Sequence, residues 1–289
     1  MSNEICDQIA LSDGRRLSFA EFGDRQGRPV FYFHGFPGSR LEAKLADRIS
    51  RETKVRFIGI DRPGYGRSSF KAVRAFIDWA DDVAELADAL GIDRFSILGV
   101  SGGGPYAAAC AFKMPDRLDV VGIVCGMGPV DVPGLMHKMP WMYRQVLRLV
   151  GHLPETARVL YPFPAFFLRN YPERMLSSIV PGMVAGPDKI ALKNKALIQV
   201  LSASFREAFR NSLRWPATDV VLYSRPWGFP LEGVNINVHL WHGEKDRIVP
   251  PEMGHYMAQS ITNCRATFFP GEGHFSIFLN RIEEIWQIF

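Results

Sequence analysis

Four short runs of almost uninterrupted apolar residues, at 29–33 (PVFYF), 55–60 (VRFIGI), 95–100 (FSILGV) and 120–125 (VVGIVC), limit most strongly how this chain can fold. A strand that is apolar on both sides has no solvent face, so it belongs in a sheet covered by helices above and below, the usual setting of parallel strands. Between the runs the apolar spacing changes to three and four residues, over 41–50 and 76–90. The second of these stretches carries Asp78, Asp81, Asp82, Glu85 and Asp88 for a solvent face. Strand and helix alternating in this way predict right-handed βαβ units and an open, twisted, mostly parallel sheet. Ahead of them, 5–22 alternates about Ser12-Asp13-Gly14-Arg15, which predicts an antiparallel hairpin.

From about Gly128 the alternation stops for roughly a hundred residues, then resumes with a strand pattern at 236–241, a helix at 252–261, a strand at 266–269 and a closing helix at 276–289. The intervening stretch is helical in tone and broken by eight prolines between 133 and 187. Its charge also differs: between Val130 and Pro230 thirteen Lys or Arg face six Asp or Glu, a net +7, whereas the rest of the 289 residues carries −3. One core (1–128 and 231–289) interrupted by a helical cap (129–230) is the expected organisation, and it suits a length too great for one ordinary domain and too small for two. With 47% hydrophobic and 22% charged residues the chain is neither disordered nor a coiled-coil rod.

Cys6, Cys110, Cys125 and Cys264 lie far apart without a CxxC pair, so they read as reduced thiols of a cytoplasmic protein rather than disulfides or zinc ligands. Met1 to Ala10 includes Glu4 and Asp7 and lacks a basic region ahead of an apolar run, so no secretory signal is expected. No stretch of about 18 uncharged apolar residues suggests a bilayer span. His239 and His242, three apart on one strand pattern, point to opposite faces, and no HExxH, GxxxxGK[ST] or GxGxxG pattern supports a metal or nucleotide cofactor.

Gly99-Val100-Ser101-Gly102-Gly103 follows a strand pattern and precedes a helix start with Pro105 in its first turn. Glycines at 99 and 103 permit a strand-to-helix turn too tight for a Cβ, which lifts Ser101 clear of the sheet at a helix N-terminus that favours a developing anion. A serine hydroxyl is a poor nucleophile until a base takes its proton. His274, in the Gly-rich loop 271–275, can serve as that base, and Asp246, in the loop 243–246, as the acid that orients it. Glu244 and His242 are rivals. Asp246 is preferred because it lies further past the strand, and His274 because a strand separates it from the acid.

With these residues the chain resembles the α/β-hydrolase fold superfamily, in its serine esterase and lipase-like branch with an HGxP loop. The likeness covers the hairpin, His34-Gly35-Phe36-Pro37-Gly38, the loop Asp61 to Ser68, the turn at Ser101 and the two C-terminal loops, but not about 130 to 230. It implies a catalytic triad of Ser101, Asp246 and His274 and an oxyanion hole formed by the backbone N–H groups of Phe36 and Gly102. Relatives that act on haloalkanes or epoxides place Asp at the turn, which sets them apart from Ser101, and the HGGG sequence of another lipase branch is absent.

The expected activity is therefore cofactor-free hydrolysis of a carboxylic ester or related small acyl compound through an acyl-enzyme on Ser101. An aminopeptidase, a C–C bond hydrolase and a non-catalytic ligand-binding protein on the same scaffold are the alternatives. For the basic, aromatic cap three roles are open: self-burial over the pocket, lining of an apolar acyl site, and weak contact with an anionic membrane surface through Met136, Met139, Trp141, Met142 and Tyr143 beside Lys138, Arg144 and Arg148. Nothing in the sequence resembles a nucleic-acid module.

Overall fold

The computed structural model describes residues 5–289 (side chains from residue 7), so the reading of Met1 to Glu4 and of the Cys6 thiol lies outside it. Eight strands form one sheet: β1 (Ile5–Ala10), β2 (Arg16–Gly23), β3 (Arg28–Phe33), β4 (Val55–Ile60), β5 (Phe95–Val100), β6 (Leu118–Val124), β7 (Val238–Gly243) and β8 (Cys264–Phe269), in the order β1-β2-β4-β3-β5-β6-β7-β8. β1 and β2 make the expected hairpin, and β2 also runs antiparallel to β4. All other neighbours are parallel.

Register places the chemistry-bearing loops together. Phe33 lies beside Gly99, Val100 beside Val124, Val124 beside Trp241, and Gly243 beside Phe269. The loops after β3, β5, β7 and β8 therefore leave the sheet at one edge, the carboxyl ends where open α/β sheets bind ligands.

Successive side chains of each strand go to opposite faces, which explains why these strands had to be apolar throughout. On one face Phe31, Phe33, Ile97, Ile123 and Leu240 pack under the helices Trp79–Ala89, Gly104–Lys113 and Pro251–Ser260. On the other, Tyr32, Phe57, Leu98, Val124 and Trp241 meet Ile49, Ile285, Trp286 and Phe289. Two predicted helices differ from expectation. The stretch 41–50 begins as a 3-10 turn, Arg40–Ala46, before the helix Asp47–Glu52. The closing helix divides into Ser276–Asn280 and Ile282–Trp286 at Arg281, whose side chain reaches Glu272 (3.2 Å) and lies over Phe269.

Between β6 and β7 the described residues contain helices and no strand. Prolines set their starts: Pro140 precedes Trp141–His152, Pro154 precedes Glu155–Leu160, Pro162 opens Pro162–Asn170, and Pro187 lies in the first turn of Gly186–Ala191. The longest helix, Lys195–Ala208, is free of proline and is capped by Asn194, which accepts from Ala196 N and Leu197 N.

Candidate active site

Ser101 stands just past β5 with φ 55°, in the left-handed region that a residue bearing a Cβ enters at a cost of about 1–2 kcal/mol. The glycines beside it make the turn possible: a Cβ on Gly99 would lie 2.7 Å from Gly103 O and 2.8 Å from Ala107 Cβ. The helix Gly104–Lys113 follows at once, with Pro105 in its first turn. The Ser101 hydroxyl makes no hydrogen bond among the described residues.

Across the sheet edge, His274 Nδ1 donates to Asp246 Oδ2 at 2.7 Å. The second oxygen of Asp246 accepts from Ile248 N (2.8 Å) and Val249 N (2.9 Å), so the buried carboxylate is fixed on both sides. Burial raises its pKa, but His274 and His242 more than offset this and hold it well below the usual carboxylate range. For His274, burial disfavours the charged ring, yet Asp246 prevails and raises its pKa above the ordinary imidazole value. With the proton on Nδ1, Nε2 is left as the free acceptor. Of the rivals, Glu244 reaches His255 (3.4 Å) near the surface, whereas the buried His242 stands behind the carboxylate, its Nε2 3.5 Å from Asp246 Oδ2 and donating to Val249 O (2.9 Å).

Two backbone amides are aimed by their carbonyls. Ser101 O accepts from Met127 N at 3.0 Å, and Gly35 O accepts from His34 Nδ1 (2.8 Å) and Arg62 Nη2 (3.0 Å). In a trans peptide the N–H points opposite to the C=O, so Gly102 N–H and Phe36 N–H are turned away from these partners. Phe36 N–H has no acceptor among the described residues. The two segments touch, since Phe36 N lies 3.2 Å from where a Gly102 Cβ would stand.

Arg62 and Tyr65 of the Asp61 to Ser68 loop, together with Asp219, Asp188 and Glu42, which sequence reasoning missed, hold these groups. Arg62 Nε meets Asp219 Oδ2 at 2.9 Å, and the same buried carboxylate accepts from Arg74 (2.5 Å), Tyr65 (2.9 Å) and Tyr106 (2.7 Å). Burial raises the Asp219 pKa, but Arg62 and Arg74 bring it well below the usual range. Asp188, also buried, accepts from three successive backbone donors of the loop after β8: His274 N (2.9 Å), Phe275 N (2.8 Å) and Ser276 N (3.0 Å). Gly273 is required here, because a Cβ would run into the Asp188 carboxylate. Glu42 accepts from Gly35 N (2.9 Å), Tyr32 OH (3.1 Å) and Ser204 OH (3.1 Å), and burial raises its pKa. The three acids carry no motif: Asp188 and Asp219 are 86 and 157 residues from His274 and Arg62.

Cys125, His242 and Asp246 bring possible metal-ligand atoms within 4.8 Å of one another. They do not suit a metal. Asp246 is saturated by hydrogen bonds, His242 Nε2 is committed, and burial pushes the Cys125 thiol up, away from the thiolate a metal needs.

Known proteins agree with this architecture. A proline iminopeptidase of Xylella fastidiosa is 33% identical over 112 residues, which are 38% of this chain and only 36% of that enzyme. A bifunctional esterase/perhydrolase of Acinetobacter calcoaceticus is 23% identical over 92% of both chains. The structure of a thermophilic esterase from Thermogutta terrifontis superposes with a TM-score of 0.69 at 22% identity, over 99% of this chain and 96% of that one. The family model for the alpha/beta hydrolase fold matches residues 28–281, and on this match and the sheet that carries it the chain belongs to the alpha/beta hydrolase fold family.

Proposed function

We propose that the protein is a cofactor-free serine hydrolase that cleaves a carboxylic ester or related small acyl compound. The observation that carries this reading is the 2.7 Å bond from His274 Nδ1 to a fully anchored Asp246, at the sheet edge where Ser101 is held in a left-handed turn. His274 Nε2 takes the Ser101 proton as Oγ attacks the acyl carbonyl, and Asp246 supports the imidazolium. The Phe36 and Gly102 N–H groups receive the oxyanion, and each is worth about 3–4 kcal/mol of barrier in such sites. The imidazolium then protonates the leaving group, and water, activated by the same ring, releases the acid from Ser101. The bond between Ser101 and His274 forms as substrate is bound, when such contacts tighten. The helices 129–230 serve as the cap over the site: Tyr223 OH donates to Gly102 O (2.8 Å), and the Tyr161 ring lies against Phe36.

A fluorophosphonate probe tests the assignment. Stoichiometric labelling of Ser101, lost in Ser101→Ala together with p-nitrophenyl ester turnover, is the expected result; undiminished hydrolysis by that variant overturns it, and inertness of the wild type points to a binding protein instead. The same groups can open an amide, and the proline iminopeptidase match makes a prolyl amide the substrate to compare with the ester.

A further inference from the structure

The helical segment bears a surface that its own fold leaves uncovered. Of the fourteen large apolar side chains exposed among the described residues, eleven fall between Trp141 and Tyr171. On the helix Trp141–His152, Leu147 and Val150 are buried while Met142, Val146 and Leu149 are exposed, as is Leu153 one residue beyond. At 100° per residue these four positions fall within about 60° of one another, a continuous outer stripe. Further on, Phe163, Phe166 and Phe167 touch ring to ring (5.2 and 5.6 Å), yet Phe163 remains 73% exposed and Trp141 68%. Each such side chain left in water forgoes about 1.5–3 kcal/mol of burial, and an apolar surface this concentrated marks an interaction site.

Charge identifies the partner. From 137 to 174 the chain has six Lys or Arg and two Glu. Glu155 is occupied by Arg158 (3.3 Å) and Glu173 by Arg206 (2.6 Å). Arg148, Arg169 and Arg174 have no acidic partner among the described residues. At the same spacing Arg148 falls about 20° around the helix from the exposed Trp141, placed for its stem to lie along apolar surface while its guanidinium reaches an anion. Apolar side chains beside unpaired cations match the boundary between acyl chains and anionic headgroups. Self-association through the same face would set these arginines against their own copies.

We propose that this surface docks the protein on anionic membranes, with Trp141, Met142, Val146, Leu149, Leu153 and Phe163 entering the headgroup boundary. The insertion is peripheral, since no helix among the described residues is long and apolar enough to cross a membrane. The sequence reading centred this contact on Met136 to Tyr143, of which the exposed Trp141 and Met142 remain in the proposed face. Met139 is buried, so the docking face moves to the outer stripe and the phenylalanine cluster. The proposal is independent of the reaction assigned to Ser101.

The test is flotation of the full-length protein with vesicles of phosphatidylcholine alone or mixed equally with phosphatidylglycerol, at low and physiological salt. Expected is binding to the anionic vesicles that weakens with salt and falls about tenfold in Arg148→Glu and in Leu149→Glu. Circular dichroism melting, unchanged in both variants, excludes unfolding, and Leu149→Ser gives a milder second variant. The proposal is overturned if the protein stays off anionic vesicles at low salt, binds both vesicle types equally, or binds regardless of these substitutions. It is equally overturned if sedimentation reveals a dimer that Leu149→Glu dissolves.

Discussion

The sheet edge and the helical segment contribute carboxylates of different kinds. Asp246, just past the end of β7, faces the imidazole proposed to act as base and is fixed by its own loop. Asp188 and Asp219 come from the segment between β6 and β7 and touch none of the groups proposed to react; each holds a loop of the sheet edge in place. Asp188 gathers the amides at 274–276, and Asp219 orients Arg62, which in turn fixes the carbonyl beside Phe36 N–H. A segment that merely roofed the site would need neither carboxylate. Here it holds the proposed base on one side and the proposed oxyanion loop on the other, so removing it should disable the proposed chemistry as well as widen the site.

The sharpest way to test this difference is at Asp246 itself. Asp246→Asn should lower kcat for a p-nitrophenyl ester by about 10⁴ with little change in melting temperature, because an amide no longer enforces the productive tautomer. Comparable activity in the variant would remove the distinction between the two kinds of carboxylate.

Asp219→Asn should act mainly on stability. It leaves the buried Arg62 and Arg74 without their counter-ion, a change worth about 3–5 kcal/mol, readable as a shift of the urea midpoint. Native stability there would mean that the segment is not anchored through this cluster.

At Asp188 the expected effect is smaller and kinetic. Asp188→Ala should reduce kcat by up to about 10²-fold with KM nearly unchanged, because the His274 loop loses three hydrogen bonds to one carboxylate and small displacements of a group proposed to react are costly. A rise in KM alone would assign Asp188 to substrate binding.

The smallest effect concerns pH. His274 must be neutral to accept a proton, and its pKa lies above the ordinary imidazole value, so kcat/KM should fall as pH drops through that raised pKa. The carboxyl groups that raise it are Asp246, Asp188 and Glu42. Asp188→Asn, which removes one of these charges, should therefore shift the acid limb to lower pH. A shift to higher pH would contradict the arrangement.

Much of the sheet edge was legible beforehand because its signals are local. A strand buried on both faces must be apolar along its length, a tight turn must have glycine where a Cβ would strike the next helix, and a Ser or His past a strand end advertises itself by its loop. Asp188 and Asp219 gave no such signal. An acidic residue in a basic helical segment reads as a solvated charge, and only folding reveals that it is buried.

The order of apolar runs, glycines and chemistry-bearing residues determined the parallel sheet and which loops would meet at its carboxyl edge, since each feature expresses the steric and solvation demands of a few neighbouring residues. Which acid faces His274, which carbonyls turn two amides away from their partners, and which carboxylates of the helical segment hold the loops were decided in three dimensions. The physical reason is that a hydrogen bond is set by distances of about 3 Å between atoms whose separation along the chain leaves no trace in local sequence.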